Sequence, residues 1–131
     1  MPASTAVVNT GRAVITSRLI GTATGVPHHI AWGTSGTVVQ LTDTTLTEPG
    51  EARTLGTGTQ TTTTTTSDTL NITGTIVATG TRTIAEAGLF TAATGGTLFV
   101  RGVLASTISV ASGDSVAFTF NVQITSAVVL L

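Results

Sequence analysis

The sequence predicts an all-β fold, an antiparallel β-sandwich of immunoglobulin-like or jelly-roll type with about eight strands. Three observations predict it. Apolar residues alternate with polar ones in several stretches, and no window repeats its apolar residues at the helical spacing i, i+3, i+4, i+7. The apolar 40% of the chain is mostly Val, Ile, Leu and Ala, with four Phe, one Trp and no Tyr, while threonine alone makes up about a quarter of the sequence. Side chains that branch at Cβ are stiff about χ1 and suit pleated backbone. Finally, clusters of Gly, Ser, Thr and Asp punctuate the alternating stretches at strand-like intervals.

At 131 residues the chain reads as a single domain, 1–131, a length that buries roughly two-thirds of the unfolded surface. Residues 1–10 are a candidate extended N-terminal arm. Residues 12–20 and 28–32 read as strands separated by the Gly- and Pro-containing segment 21–27, and Thr34-Ser35-Gly36-Thr37 closes the second. The stretch 38–51 is the longest loop, with room for one short helical turn that Pro49 and Gly50 would end. The threonine run 61–66 reads as a solvent-facing or edge strand, with a disordered linker as the alternative.

Residues 69–79 form a strand with Leu70, Ile72, Ile76 and Ala78 inward and Gly74 where a neighbour approaches closely. Residues 84–90 and 98–105 are joined through Ala93-Thr94-Gly95-Gly96, glycines suited to the positive φ of a tight hairpin. A short segment around Ile108 and Val110 follows. Ser112-Gly113-Asp114 then turns into a final strand, 115–125, with Val116, Phe118, Phe120, Val122 and Ile124 on one face. On this reading the C-terminal half is an antiparallel meander.

Only 8% of residues are charged and the formal charge is −1, against roughly a quarter charged in ordinary soluble domains. The five cations, Arg12, Arg18, Arg53, Arg82 and Arg101, are dispersed, which argues against nucleic acid and anionic membranes as partners. So little charge points to assembly, because charge is what keeps soluble monomers apart. With no cysteine there is no disulfide or thiolate metal site. The N-terminus lacks the pattern of a secretory signal, and no apolar run approaches the ~20 residues of a membrane helix.

The residues give no catalytic constellation and call for no cofactor. His28-His29 is the best metal or base candidate, but neighbours on a strand point to opposite faces and cannot share one ion. No nucleophile elbow occurs, and Ser112-Gly113-Asp114-Ser115 reads as a turn. Of the carboxylates, Asp43, Glu48, Glu51, Asp68 and Asp114 fall in loops, whereas Glu86 lies in an apolar strand and calls for Arg101 on the neighbouring strand as a structural partner. Gly56-Thr57-Gly58 lacks the spacing of a phosphate loop, and Asn71-Ile72-Thr73 is a chance glycosylation match. Trp32 suits the core ahead of an interface.

Two stretches carry a family pattern. His28-His29-Ile30-Ala31-Trp32-Gly33-Thr34-Ser35-Gly36-Thr37, then Thr42-Asp43-Thr44-Thr45-Leu46-Thr47-Glu48 and Arg53, resembles the N-terminal half of small virion structural proteins of tailed bacteriophages. Ile84-Ala85-Glu86-Ala87-Gly88-Leu89-Phe90, then Gly95-Gly96-Thr97-Leu98, Arg101, Val110 and Ser112-Gly113-Asp114, resembles their C-terminal half. The chain departs from the pattern at Thr91, where an acidic residue is expected.

The resemblance implies a homotrimeric, non-enzymatic particle component that binds other virion proteins. The leading expectation is a capsid decoration, or cement, protein on the capsid surface, bound to the major capsid protein and soluble in the host cytoplasm before assembly. A tail, baseplate or fibre-associated component is the alternative. His28, His29, Trp32 and Arg53 are the candidate interface residues. A sugar-binding or hydrolytic sandwich is a third reading, weakened by the lack of exposed aromatic residues.

Overall fold

The computed structural model describes residues 4–22, 25–125 and 129–131. Eight strands and one helix follow in order: β1 (Ser4–Val7), α1 (Asn9–Leu19), β2 (His29–Gly33), β3 (Thr54–Leu55), β4 (Thr57–Thr61), β5 (Thr69–Val77), β6 (Arg82–Phe90), β7 (Leu98–Val110) and β8 (Ser115–Gln123). The strands pair antiparallel in two sheets, β1-β7-β6-β2-β3 and β4-β5-β8. The all-β sandwich with eight strands is the fold class the alternation predicts.

Between the sheets Trp32 lies with Ile30, Ile72, Ile76, Ile84, Leu89 and Phe118. Trp32 meets Phe118 edge to face, with ring centroids 6.4 Å apart and planes at 80°, a favoured aromatic geometry. A second cluster, Val8, Ala31, Leu46, Phe90 and Leu98, sits on the opposite face of the larger sheet, because Ala31 alternates with Ile30 and Trp32 along β2. The long loop 34–51 covers that face through Leu46. Its hydrogen-bonded turn is Gln40 to Asp43, where the Asp43 amide donates to the Gln40 carbonyl at 3.0 Å; no helical turn forms there.

β5 buries Ile72 and Ile76 as the alternation requires. A Cβ added to Gly74 would come within 2.7 Å of Ile30 Cδ1, the close approach expected at that position. β3 and β4 form one chain path broken only by Gly56, which crosses from the larger sheet to the smaller. A Cβ on Gly56 would meet Ile72 Cγ2 at 2.7 Å and Ile30 Cδ1 at 3.0 Å, so the corner is tight enough to require glycine.

Five expectations need correction. Residues 12–20 are helix, not strand. Gly11 and Val14, three residues apart, are the buried face of α1, and a Cβ on Gly11 would overlap the Phe99 carbonyl oxygen. Packing against β7 outweighs the few tenths of a kcal/mol that Val14, Ile15 and Thr16 each cost a helix. At its end the Thr22 amide donates to the Ser17 carbonyl at 2.9 Å and the Gly21 amide to Arg18 at 3.1 Å, with Gly21 at φ +80°. This is a Schellman stop, with glycine supplying the left-handed residue.

The expected N-terminal arm is likewise built in over the described residues 4–10. Ser4–Val7 pairs with Val100 to Val103, Val8 is fully buried, and the Thr10 hydroxyl donates to the Leu98 carbonyl at 2.7 Å. The third correction concerns the threonine run. β4 ends at Thr61, and the following threonines wrap as a loop around Asp68, whose carboxylate accepts the amides of Thr63, Thr64 and Thr65 at 2.8, 3.1 and 3.0 Å. A run of identical polar side chains has no alternation with which to bury one face, and a carboxylate offers its amides acceptors instead.

Fourth, the segment around Ile108 and Val110 is part of β7. The register shifts between the pairs Ile84 with Ile108 and Glu86 with Val103, so β7 carries extra residues opposite Ala85 and continues as a bulged strand. Fifth, the last turn does not continue a meander beside β7. Gly113, at φ +92°, moves the chain to the smaller sheet, where β8 pairs with β5 from Ser115 with Val77 to Gln123 with Thr69. The Gly113 amide donates to the Ala78 carbonyl at 2.8 Å and the Ala78 amide to Asp114 at 2.7 Å, fixing the crossing.

Candidate functional site

The charged side chains hold the architecture together, and their placement decides what the surface can do. Glu86 on β6 and Arg101 on β7 lie on the outer face of the larger sheet, with side chains 1% and 3% exposed and Arg101 Nε donating to Glu86 Oε1 at 2.8 Å. Glycines make room for them. A Cβ on Gly33, opposite Glu86 in the β2 register, would overlap the Glu86 carboxylate.

Glu86 Oε2 accepts the amides of Ser35 and Thr47 at 3.0 and 2.9 Å, tying down both ends of the covering loop. Arg101 completes the clamp by donating to Asp43 Oδ2 at 2.9 Å and to the Thr37 carbonyl at 3.0 Å. Burial by itself would lower the Arg101 pKa, but hydrogen bonds and Coulomb attraction from Glu86 and Asp43 hold it above the ordinary arginine value.

A second hub is Glu51, with a side chain 2% exposed. It accepts Trp32 Nε1 at 3.1 Å, the Thr79 amide at 3.0 Å and Arg82 Nε at 3.1 Å. Burial, the largest single influence, pushes its pKa up. The bonds from Thr79 and Trp32 outweigh it together and bring the pKa down to about 2. The third hub is Arg53, which pairs with Glu48 at 2.8 Å, donates to the carbonyls of Ala92 and Gly95 at 2.9 and 2.7 Å, and lies 3.6 Å from the Phe90 ring centroid.

Trp32 and Arg53 are therefore not surface contacts, which corrects their placement among the interface residues. Trp32 is core, 2% exposed, and its one polar atom is satisfied by Glu51. Arg53 staples the β6–β7 hairpin loop onto the end of the fold. His28 and His29 are half-buried and separate. The His28 ring lies against Gly58, whose added Cβ would come 2.5 Å from Cε1, and it lines a cavity of about 330 Å³ with Thr59, Asp68, Leu70 and Ile124. Desolvation, then the charges of His29 and Arg18, lower its pKa. His29 Nδ1 is buried without a hydrogen-bond partner.

Among the described residues no three His, Cys, Asp or Glu side chains gather closely enough to hold a metal ion, and no helix is long and apolar enough to cross a membrane. All six acidic side chains are engaged internally. Asp43 and Glu86 bind Arg101, Glu48 binds Arg53, and Glu51 binds Arg82. Asp68 binds the threonine loop and Gln123, and Asp114 accepts the Ala111 amide at 2.8 Å. Sequence reasoning missed the Glu51 and Asp68 hubs. Their signals were a carboxylate following Pro49-Gly50 and one closing a run of hydroxyl residues, both of which also read as solvated loops.

Arg12 and Arg18 on α1 and Asp114 in the last turn face outward, whereas the edge strands β1, β4 and β8 carry no charge. β4 is exposed along its whole length, and β1 and β8 are the edge strands on the opposite side. There the two sheets part in a groove with adjoining cavities of about 280 and 230 Å³, reaching Val100, Val103, Leu104, Phe118, Phe120 and Val122. Comparison with protein-family models, with curated proteins and with solved structures returns no match.

Proposed function

We propose that this chain is a non-catalytic structural protein of a tailed-bacteriophage particle, a capsid decoration protein that self-associates, as a homotrimer, and binds the major capsid protein on the outer shell. The observation that carries the reading is where the charge resides. Every carboxylate is engaged in holding loops and sheets together, so none stands free as an acid or base. The surface left is threonine-rich strand and open sheet edge, suited to contact by backbone pairing and shape.

The phage-like pattern supports the same reading residue by residue. Trp32, Gly33, Asp43, Glu86, Arg101 and Asp114 lie in the internal hubs, the glycine gap or the sheet-crossing turn, and Leu46 in the second apolar cluster, so the pattern marks residues that fix this architecture. Many modest contacts repeated over a shell stabilise it by avidity without any one strong site.

Copy number tests the proposal. Quantitative mass spectrometry of purified particles should find this chain near the abundance of the major capsid protein. A few copies per particle would move it to the tail, baseplate or fibre, and absence from particles would refute a virion role.

A further inference from the structure

The sandwich is closed on one side and open on the other. Where β3 runs into β4, the chain itself crosses between the sheets at Gly56. On the far side β1 ends the larger sheet and β8 the smaller, and the two are not paired. The groove between them exposes part of the core, with Phe120 and Val122 only half-buried. Natural sheet edges are guarded by charge, proline or bulges. Neither Ser4–Val7 nor Ser115–Gln123 contains a charged residue or a proline, and β8 runs nine residues in unbroken register with β5.

An occupant must therefore be uncharged, apolar and able to extend. The chain carries such a segment. Val129, Leu130 and Leu131 are 75%, 90% and 117% exposed, aliphatic side chains that their own copy leaves in water.

The same chain leaves β8 still bonded on the β5 side. The Ile124 amide donates to the Asp68 carbonyl at 2.8 Å, prolonging the β5 ladder on the side of β8 away from the groove.

We propose that the groove between β1 and β8 receives residues 129–131 of a second copy, closing the open side of the sandwich by strand exchange. Each copy gives a segment to one neighbour and takes one from another. Such head-to-tail contacts close into a ring when the rotation allows, and three copies would form the homotrimer. This deepens, and rests on, the self-association proposed above.

The test uses the absence of cysteine from the chain. A Thr119→Cys, Leu130→Cys double variant of the full chain, oxidised and run without reductant, should form disulfides between copies, while each single variant should not produce the same closed species. A disulfide confined within one copy, or none, overturns the exchange. In parallel, removal of residues 129–131 should convert the associated protein to monomer by light scattering, with Trp32 emission unchanged to show that the fold persists.

A truncated chain that stays trimeric overturns the exchange and leaves the trimer standing. A full-length chain that is monomeric at every concentration overturns both exchange and trimer. Shell binding is then still decided by the copy number on particles.

Discussion

Replacing Arg101 by Met removes the centre of the clamp that holds loop 34–51 to the sheet, and the cost can be worked from the contacts. Glu86, with its side chain 1% exposed, would keep the amides of Ser35 and Thr47 but lose its cation, leaving a buried charge without compensation. Breaking such a pair from one side costs about 3–5 kcal/mol, a large share of the roughly 5–15 kcal/mol that stabilises a domain.

For a chain of this length that is a fall in Tm of roughly 9–25 °C, at about 3–5 °C per kcal/mol. Glu86→Gln leaves Arg101 paired with Asp43, so its charge stays compensated, and the loss should be smaller. The double variant Glu86→Gln, Arg101→Met should fall short of the sum of the singles by about 0.5–3 kcal/mol, the range seen for directly coupled residues. Urea titration gives the free energies, and hydrogen exchange gives the mechanism, because the Ser35 and Thr47 amides should lose protection ahead of the β5 and β6 amides. A loss below about 1 kcal/mol for Arg101→Met, or strict additivity, would refute the claim that this pair is the clamp.

Three further outcomes follow from the geometry. Gly11→Ala should destabilise by about 1–3 kcal/mol through overlap with the Phe99 carbonyl, although an exposed Gly→Ala change in a helix normally stabilises; a raised Tm would show that α1 does not sit on β7. Glu51 has a folded pKa depressed to about 2 from an ordinary 4.5, so its ionisation adds stability that is complete above pH 4.5 and is lost as pH falls towards 2. Glu51→Gln should therefore flatten the acid limb of a stability-versus-pH curve in that window, followed by Trp32 fluorescence, and an unchanged slope would remove Glu51 from the account. Asp68→Asn should release the amides of Thr63, Thr64 and Thr65 to fast exchange while leaving the β6 and β7 amides protected; retained protection at all three would mean that the loop holds itself.

Strands were legible where one face is buried and the other wet. β5 and β8 alternate cleanly, and the hairpin between β6 and β7 is announced by Gly95 and Gly96. The pairing of Glu86 with Arg101 was legible too, because a carboxylate in an apolar strand has few places to go. Helix α1 was not, since its β-branched residues favour extended backbone and only burial against β7 reverses that preference. The one local signal was Gly21 following Arg18 in the last turn. Placing β8 in the other sheet was beyond local reading as well. A turn such as Ser112-Gly113-Asp114 fixes the reversal of the chain, while the partner is chosen by which sheet has an unpaired edge and an apolar face to cover.

The same division explains why site residues were harder to place than strands. Composition reports how little charge the chain has but not on which side of the fold it lies. Eleven charged side chains in an ordinary domain would mostly face water, with solubility as their chief effect. Here nine of them bond to other parts of the fold, seven in ion pairs and Asp68 and Asp114 to backbone amides at the surface, and Arg12 and Arg18 on α1 are the two cations that enter no ion pair among the described residues. Spending charge on loop amides and ion pairs fixes a long irregular loop and a threonine loop without enlarging the apolar core. The edge strands β1, β4 and β8 meanwhile carry none of the charges that normally keep sheet edges apart. Rigid loops and unguarded edges thus share one cause, the allocation of a small number of charges to internal bonds.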